Sequence, residues 1–105
     1  MEIKTKAETF IGFAIRSGKC KIGAGAIETL RKADLIIVCK TASENSIKNA
    51  KKLARRLNAK LIKTTIKPLC EMTYKQNSKI MAICDRSLSN AILENGKQEF
   101  EEVGE

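Results

Sequence analysis

One stretch of this chain, Lys19-Cys20-Lys21-Ile22-Gly23-Ala24-Gly25-Ala26, combines lysines with glycines and small residues. Glycine and alanine leave backbone amides with little in front of them. At the start of a helix those amides have no intrahelical acceptor, and the helix dipole favours negative charge nearby. Open amides beside lysines can hold an anion. A glycine pair can equally serve a tight turn into a helix with no ligand, and both readings stand at this point. Other chemistry is sparse. There is no histidine, and the only aspartates are Asp34 and Asp85. No nucleophile lies in a triad-like setting and no carboxylates cluster as a metal centre needs. Gly23-Ala24-Gly25 lacks the third glycine and later acid of a dinucleotide fingerprint. The expectation is a protein without catalysis, cofactor or metal.

The cysteines Cys20, Cys39, Cys70 and Cys84 form no Cys-x-x-Cys pair. With no histidine to complete a zinc site, they read as reduced thiols, with Cys39 and Cys84 expected to be buried. The 105 residues suit one domain with a small core. No apolar run reaches the length of a membrane span. The first residues lack the apolar centre of a signal peptide, so the expected location is the cytoplasm, with no membrane partner.

Charge points to the partner. The formal net charge is +8. Residues 40–79 hold eleven lysines and arginines against two acids, Glu44 and Glu71. From Glu94 onward there are five glutamates and one lysine. That excess of positive charge in the middle exceeds what solubility requires and suits a nucleic-acid backbone. The end reads as an acidic, fraying tail over 95–105, following one domain over 1–94.

The elements that must position these residues follow from periodicity. Ala7, Phe10, Ile11, Ala14 and Ile15 predict a helix over 5–17, stopped by Gly18. Gly12 inside it suggests close approach by another element. A short helix is predicted over 24–32, with Ile27 and Leu30 inward. Leu35-Ile36-Ile37-Val38-Cys39 reads as a strand covered on both faces. Ser43 can cap a helix over 44–57. That helix buries Ile47, Ala50, Leu53, Ala54 and Leu57, and opposes them with Lys48, Lys51, Lys52, Arg55 and Arg56. The basic face fits phosphate binding or plain solvation equally.

A strand over 61–65 follows, with Leu61 and Ile66 as anchors. Pro68 opens a short helix over 69–75, and 76–78 turn into a strand over 80–84. Asp85 or Ser87 caps a last helix over 88–94, ended by Gly96. A further short strand fits near 20–23. Strands separated by helices require crossovers and partly parallel pairing. The predicted fold class is α/β, a three-layer alpha-beta-alpha sandwich around a small mixed sheet.

Several segments, taken in order, carry a resemblance. They are Phe10-Ile11-Gly12-Phe13-Ala14-Ile15-Arg16-Ser17-Gly18-Lys19, Gly23 before a helix, Ala33-Asp34-Leu35-Ile36-Ile37-Val38, and Thr41-Ala42-Ser43-Glu44-Asn45-Ser46. Leu69 at a short helix and Met81-Ala82-Ile83-Cys84-Asp85 complete the set. Over about residues 8–94 the chain resembles the L7Ae/L30e ribosomal-protein family, most closely its small bacterial YlxQ-like branch. The resemblance implies an L7Ae/L30e-like sandwich that binds structured RNA, often a kink-turn, through the start of the second helix and a loop near the last strand.

Carried onto this chain, the implied RNA-binding residues are Gly23, Ala24, Gly25 and Ala26, flanked by Lys19 and Lys21, with Lys40, Leu69, Cys70, Glu71, Met72 and Thr73. Leu69 and Met72 are expected to rest against a base or sugar. Where many kink-turn binders have Gly-x-Asn-Glu, this chain has Gly23-Ala24-Gly25-Ala26, and the usual Leu-Gly pair is Leu69-Cys70. Shape and phosphate recognition need none of the missing side chains. RNA is favoured over DNA because an irregular loop surface, rather than a groove-reading helix, is on offer. With only Phe10, Phe13, Tyr74 and Phe100 as aromatics, stacking along a single strand is poorly served. The expected partners are structured RNA, ribosomal RNA included, and proteins of a ribonucleoprotein. The alternative is a protein–protein interaction module in such a particle, without specific kink-turn recognition.

Overall fold

Five helices and a five-stranded mixed sheet alternate along the chain in the computed structural model, which describes residues 6–73 and 79–103. The order is α1 (Lys6–Arg16), β1 (Cys20–Ile22), α2 (Ala24–Glu28), β2 (Leu35–Val38), α3 (Glu44–Leu57), β3 (Lys60–Thr64), α4 (Leu69–Thr73), β4 (Ile80–Ile83), α5 (Arg86–Asn95) and β5 (Phe100–Glu102). Spatial order in the sheet is β1-β4-β2-β3-β5. Only β2 and β3, joined through α3, run parallel; the other three pairs are antiparallel. The expected α/β fold class and partly parallel sheet are observed.

The two faces of the sheet carry separate cores, because successive side chains of a strand point to opposite sides. Leu35, Ile37, Met81 and Ile83 pack with Ile11 of α1, Leu69 and Met72 of α4 and Ile92 of α5. Ile36, Val38, Ile80 and Ala82 pack with Ile27 of α2 and with Ala50, Leu53 and Leu57 of α3. β2 and β4 are buried at every position, as central strands covered on both faces should be. No helix among the described residues is long and apolar enough to cross a membrane.

The predicted caps act as expected. Ser43 accepts from the Ser46 amide, and Asp85, rather than Ser87, accepts from the Leu88 amide to start α5. Gly18 has φ 71° where α1 stops, and the Lys19 amide donates to Ala14 O at 2.9 Å. Gly12 differs from expectation: a Cβ there would meet nothing within 4 Å, so no close approach explains it.

Three further expectations are corrected. α2 is shorter than 24–32. The Thr29 hydroxyl takes the Ala26 carbonyl at 2.7 Å, and the Arg56 guanidinium takes those of Leu30, Ile27 and Glu28 at 3.0–3.4 Å. Carbonyls turned to those partners do not propagate the helix. Cys84 is exposed rather than buried, because it lies past the end of β4. The segment read as a loose tail supplies β5: Thr64 pairs with Phe100, and Phe100 joins the core. Its glutamates meet β3 lysines, Lys60 with Glu102 and Lys63 with Glu101. The turn predicted at 76–78 lies outside the described residues, as does Tyr74.

Candidate functional site

β1, β2 and β3 finish, and β4 begins, at one end of the sheet. The strand registers bring Ile22, Val38, Thr64 and Ile80 there, while Cys20, Leu35, Lys60 and Ile83 mark the other end. Gly23 turns the chain from β1 into α2 at the first of these ends. Its amide donates to Ile80 O at 2.9 Å, which fixes the turn against β4. Its φ of 96° with ψ of 143° is a region that glycine alone occupies readily.

α2 starts without a side-chain cap. Its first intrahelical bond runs from the Ile27 amide to Gly23 O at 3.1 Å. The amides of Ala24, Gly25 and Ala26 precede that bond, so the helix offers them no acceptor. Gly25 is exposed and Gly23, Ala24 and Ala26 are half-buried. A Cβ built on Gly23 or Gly25 would meet nothing within 4 Å. The helix start is open to an incoming group.

Beside it lies a notch of about 180 Å³ lined by Gly23, Ala24, Ser46, Asn49, Lys79 and Ile80. Ser46 and Asn49 come from the first half of α3, whose N-terminus also sits at this end. Lys79 Nζ donates to Thr41 Oγ1 at 2.7 Å, and the Cys39 amide donates to Lys79 O at 2.7 Å. Thr41 and Cys39 thereby hold Lys79 beside the notch. A larger hollow of about 350 Å³ between α5 and β5 is lined by Glu94, Glu101 and Glu102 against Lys60 and Lys97, a surround less suited to an anion.

Cys39 is buried at this end. Its sulfur accepts from the Leu69 amide at 3.2 Å and lies 3.1 Å from Thr41 Oγ1. Burial pushes its pKa up, but hydrogen bonds from Thr41 and Leu69 and the nearby Lys79 charge outweigh that and leave it lowered.

The predicted site residues divide. Lys21 is exposed; its strand neighbours Cys20 and Ile22 pack into the α1 side, so Lys21 faces the α2 and α3 side. Lys40 is exposed at the right end, its amide on Thr64 Oγ1 and its Nζ 3.4 Å from Ile66 O. Lys19 is misplaced. It sits at the opposite end of β1 and pairs with Asp85 at 2.9 Å. The three residues of β1 separate it from Gly23, four steps that span roughly 13 Å at the usual rise.

The α4 residues also need correction. Leu69, Met72 and Thr73 are buried at 0%, 2% and 4% exposure, so none can rest against a base or sugar. Their short helix turns its apolar pair inward onto the α1 face, leaving Cys70 half-buried and Glu71 exposed. The apolar side chain exposed near this end is Ile66, at 61%, predicted as an anchor. β3 stops at Thr64, so strand alternation no longer directs Ile66 inward.

Ser46, Asn49 and Lys79 were not singled out by sequence reasoning. Lys79 directly precedes an apolar strand, which is a usable signal. Its closeness to Gly23 depends on β1 and β4 pairing antiparallel, and no local pattern announces that. Among the described residues no three histidine, cysteine, aspartate or glutamate side chains converge to hold a metal. No protein-family model matches the chain, and no curated protein matches it.

Proposed function

We propose that the chain is a non-catalytic protein that binds structured RNA, kink-turn-like or related, within a ribonucleoprotein of the cytoplasm. The observation that carries this reading is the open start of α2, beside a notch that Lys79 lines. The amides of Ala24, Gly25 and Ala26 donate to a phosphate or sugar oxygen, and Ser46 and Asn49 offer further polar atoms beside them. Lys21, Lys40 and Lys79 supply positive charge around it, all three exposed. Ile66 replaces Leu69 and Met72 as the apolar contact for a splayed base. The resemblance to the L7Ae/L30e family supports the start of α2 as the contact and the same class of partner.

The bare α2 start favours recognition of shape and phosphate over base edges, because alanine and glycine bring no donor or acceptor of their own. That poverty of side chains also favours the second reading, a surface that meets a protein of the particle. Salt separates the two. Phosphate contacts release counterions and give steep salt dependence.

Replacing Lys21, Lys40 and Lys79 together by glutamine tests the proposal on an RNA duplex with an internal bulge. Each lost phosphate contact lowers the slope of log affinity against log salt by about one. A fall of about three with an unchanged melting temperature is the expected result. Wild-type affinity and slope in the variant would remove the basis for the site.

A further inference from the structure

The outer face of α3 holds a charge that the notch does not use. Lys48, Lys52 and Arg55 are exposed and Lys51 is half-buried. At 100° per residue these four fall on one flank of the helix, opposite Ala50, Leu53 and Leu57 in the core. Arg56 does not belong with them. Its guanidinium is turned to the carbonyls that end α2 and serves the fold. Among the described residues, Lys48, Lys51 and Lys52 form no ion pair. This contrasts with β3, where Lys60 and Lys63 are matched by the glutamates of β5. The sole acid of α3, Glu44, lies in its first turn.

We infer that the α3 stripe of Lys48, Lys51, Lys52 and Arg55 is a second contact surface, one that grips the phosphate backbone of a paired RNA segment flanking the element held at the notch. This rests on the RNA-binding reading above. The notch and the stripe share α3: Ser46 and Asn49 line the notch, and Lys48 begins the stripe. From Ser46 to Arg55 the helix rises about 13 Å, so an RNA seated in the notch lies within reach of the stripe along its flanking duplex.

The chemistry of the stripe selects a phosphate backbone over a protein. Protein interfaces enrich aromatic and apolar side chains at their centre and deplete lysine. The exposed residues of α3 are all polar or charged. Lysine on a flexible stem meets phosphates as a point charge without demanding a fixed geometry. Contact of this kind positions an RNA and adds affinity without reading its sequence.

The test uses the full chain and two probes, a 20-base-pair RNA duplex and the same duplex with an internal bulge. The variant is Lys48→Gln/Lys51→Gln/Lys52→Gln, all at side chains outside the core. The expected result is a fall of about three in the salt slope on both probes, with the preference for the bulged RNA kept. A wild-type slope in this variant overturns the inference, as does a loss confined to the bulged probe. A polyglutamate peptide that displaces the duplex at equal charge concentration also overturns it, in favour of an acidic protein partner. The two readings fail separately. If the notch variant keeps the bulge preference while the stripe variant loses slope, the site at the notch is wrong and the stripe stands.

Discussion

Asp85 shows how one residue can do structural work next to a predicted binding lysine. Its carboxylate takes the Lys19 ammonium and the Leu88 amide, and both hold its pKa below the usual carboxylate range. A carboxylate whose folded pKa is depressed adds stability above its unfolded pKa. That stability is lost as pH falls through the folded value. Asp85→Asn keeps an oxygen for the Leu88 amide, since asparagine caps about as well as aspartate, but removes the charge. The expected outcome is a protein whose melting temperature falls less than the wild type's between pH 5 and the acid side of the carboxylate range. Asp85→Ala loses the cap and melts lower at every pH. Thermal melts across pH check both. In the sequence Asp85 was legible as a cap. Its hold on Lys19 was not, because the two lie 66 residues apart and meet only through β1–β4 pairing.

Gly23 was legible for a related reason. A glycine directly between a strand signal and a helix signal marks a backbone angle other residues avoid, and its φ of 96° bears that out. Leu69 and Met72 misled because exposure was transferred from a resemblance rather than derived. Their spacing of three, in a chain with a small core, already favours an inward stripe.

At the scale of elements, β5 is the main departure. Five glutamates in the last twelve residues concealed it, because strand propensity is weak there and nothing local shows that β3 is basic at its edge. Phe100 was its one apolar signal. Gly96 makes the docking possible: a Cβ there would come within 2.5 Å of the Phe100 ring and 2.8 Å of Ile92 O. Gly96→Ala must therefore shift the ring or the helix end. Overpacking of this kind costs about 1–3 kcal/mol, and denaturant unfolding should show it. Faster amide exchange at Thr65 and Val103, which donate to Glu99 O and Leu61 O across this edge, is expected with it. A variant as stable and as protected as wild type would mean that β5 is not anchored by Phe100.

α2 and α3 show the opposite case. The amphipathic pattern of α3 predicted its bounds of 44–57 and its buried face. Arg56 sits on the basic side of that pattern, and only the packing of α2 against α3 reveals that it caps a neighbour. Pattern identifies a face; contact assigns its use.

At the scale of the whole molecule, alternating apolar segments were enough to give a three-layer α/β sandwich. They could not give strand order, and strand order decides which loops share an end. Placing β4 between β1 and β2 brings Gly23 beside Lys79 and sends Lys19 away. The charge map changes in the same way. Part of the positive field of residues 40–79 is offset, by β5 at Lys60 and Lys63 and by Glu8 at Lys67, while among the described residues Lys48, Lys51 and Lys52 of α3 form no ion pair. Exposed ion pairs such as Lys63–Glu101 contribute little to stability. Their consequence is to leave one side of the molecule more positive than the other, which steers an anionic partner.

The central claim is that the exposed amides beginning α2 are the point of contact. Amide nuclear magnetic resonance of the uniformly labelled protein, titrated with a bulged RNA duplex, reads it directly. The account predicts that Ala24, Gly25, Ala26 and Lys79 move first and furthest, while Lys19 and Asp85, paired at the far end, stay still. Large shifts at the far end with a silent α2 start, or no shifts at all at low salt, would contradict it.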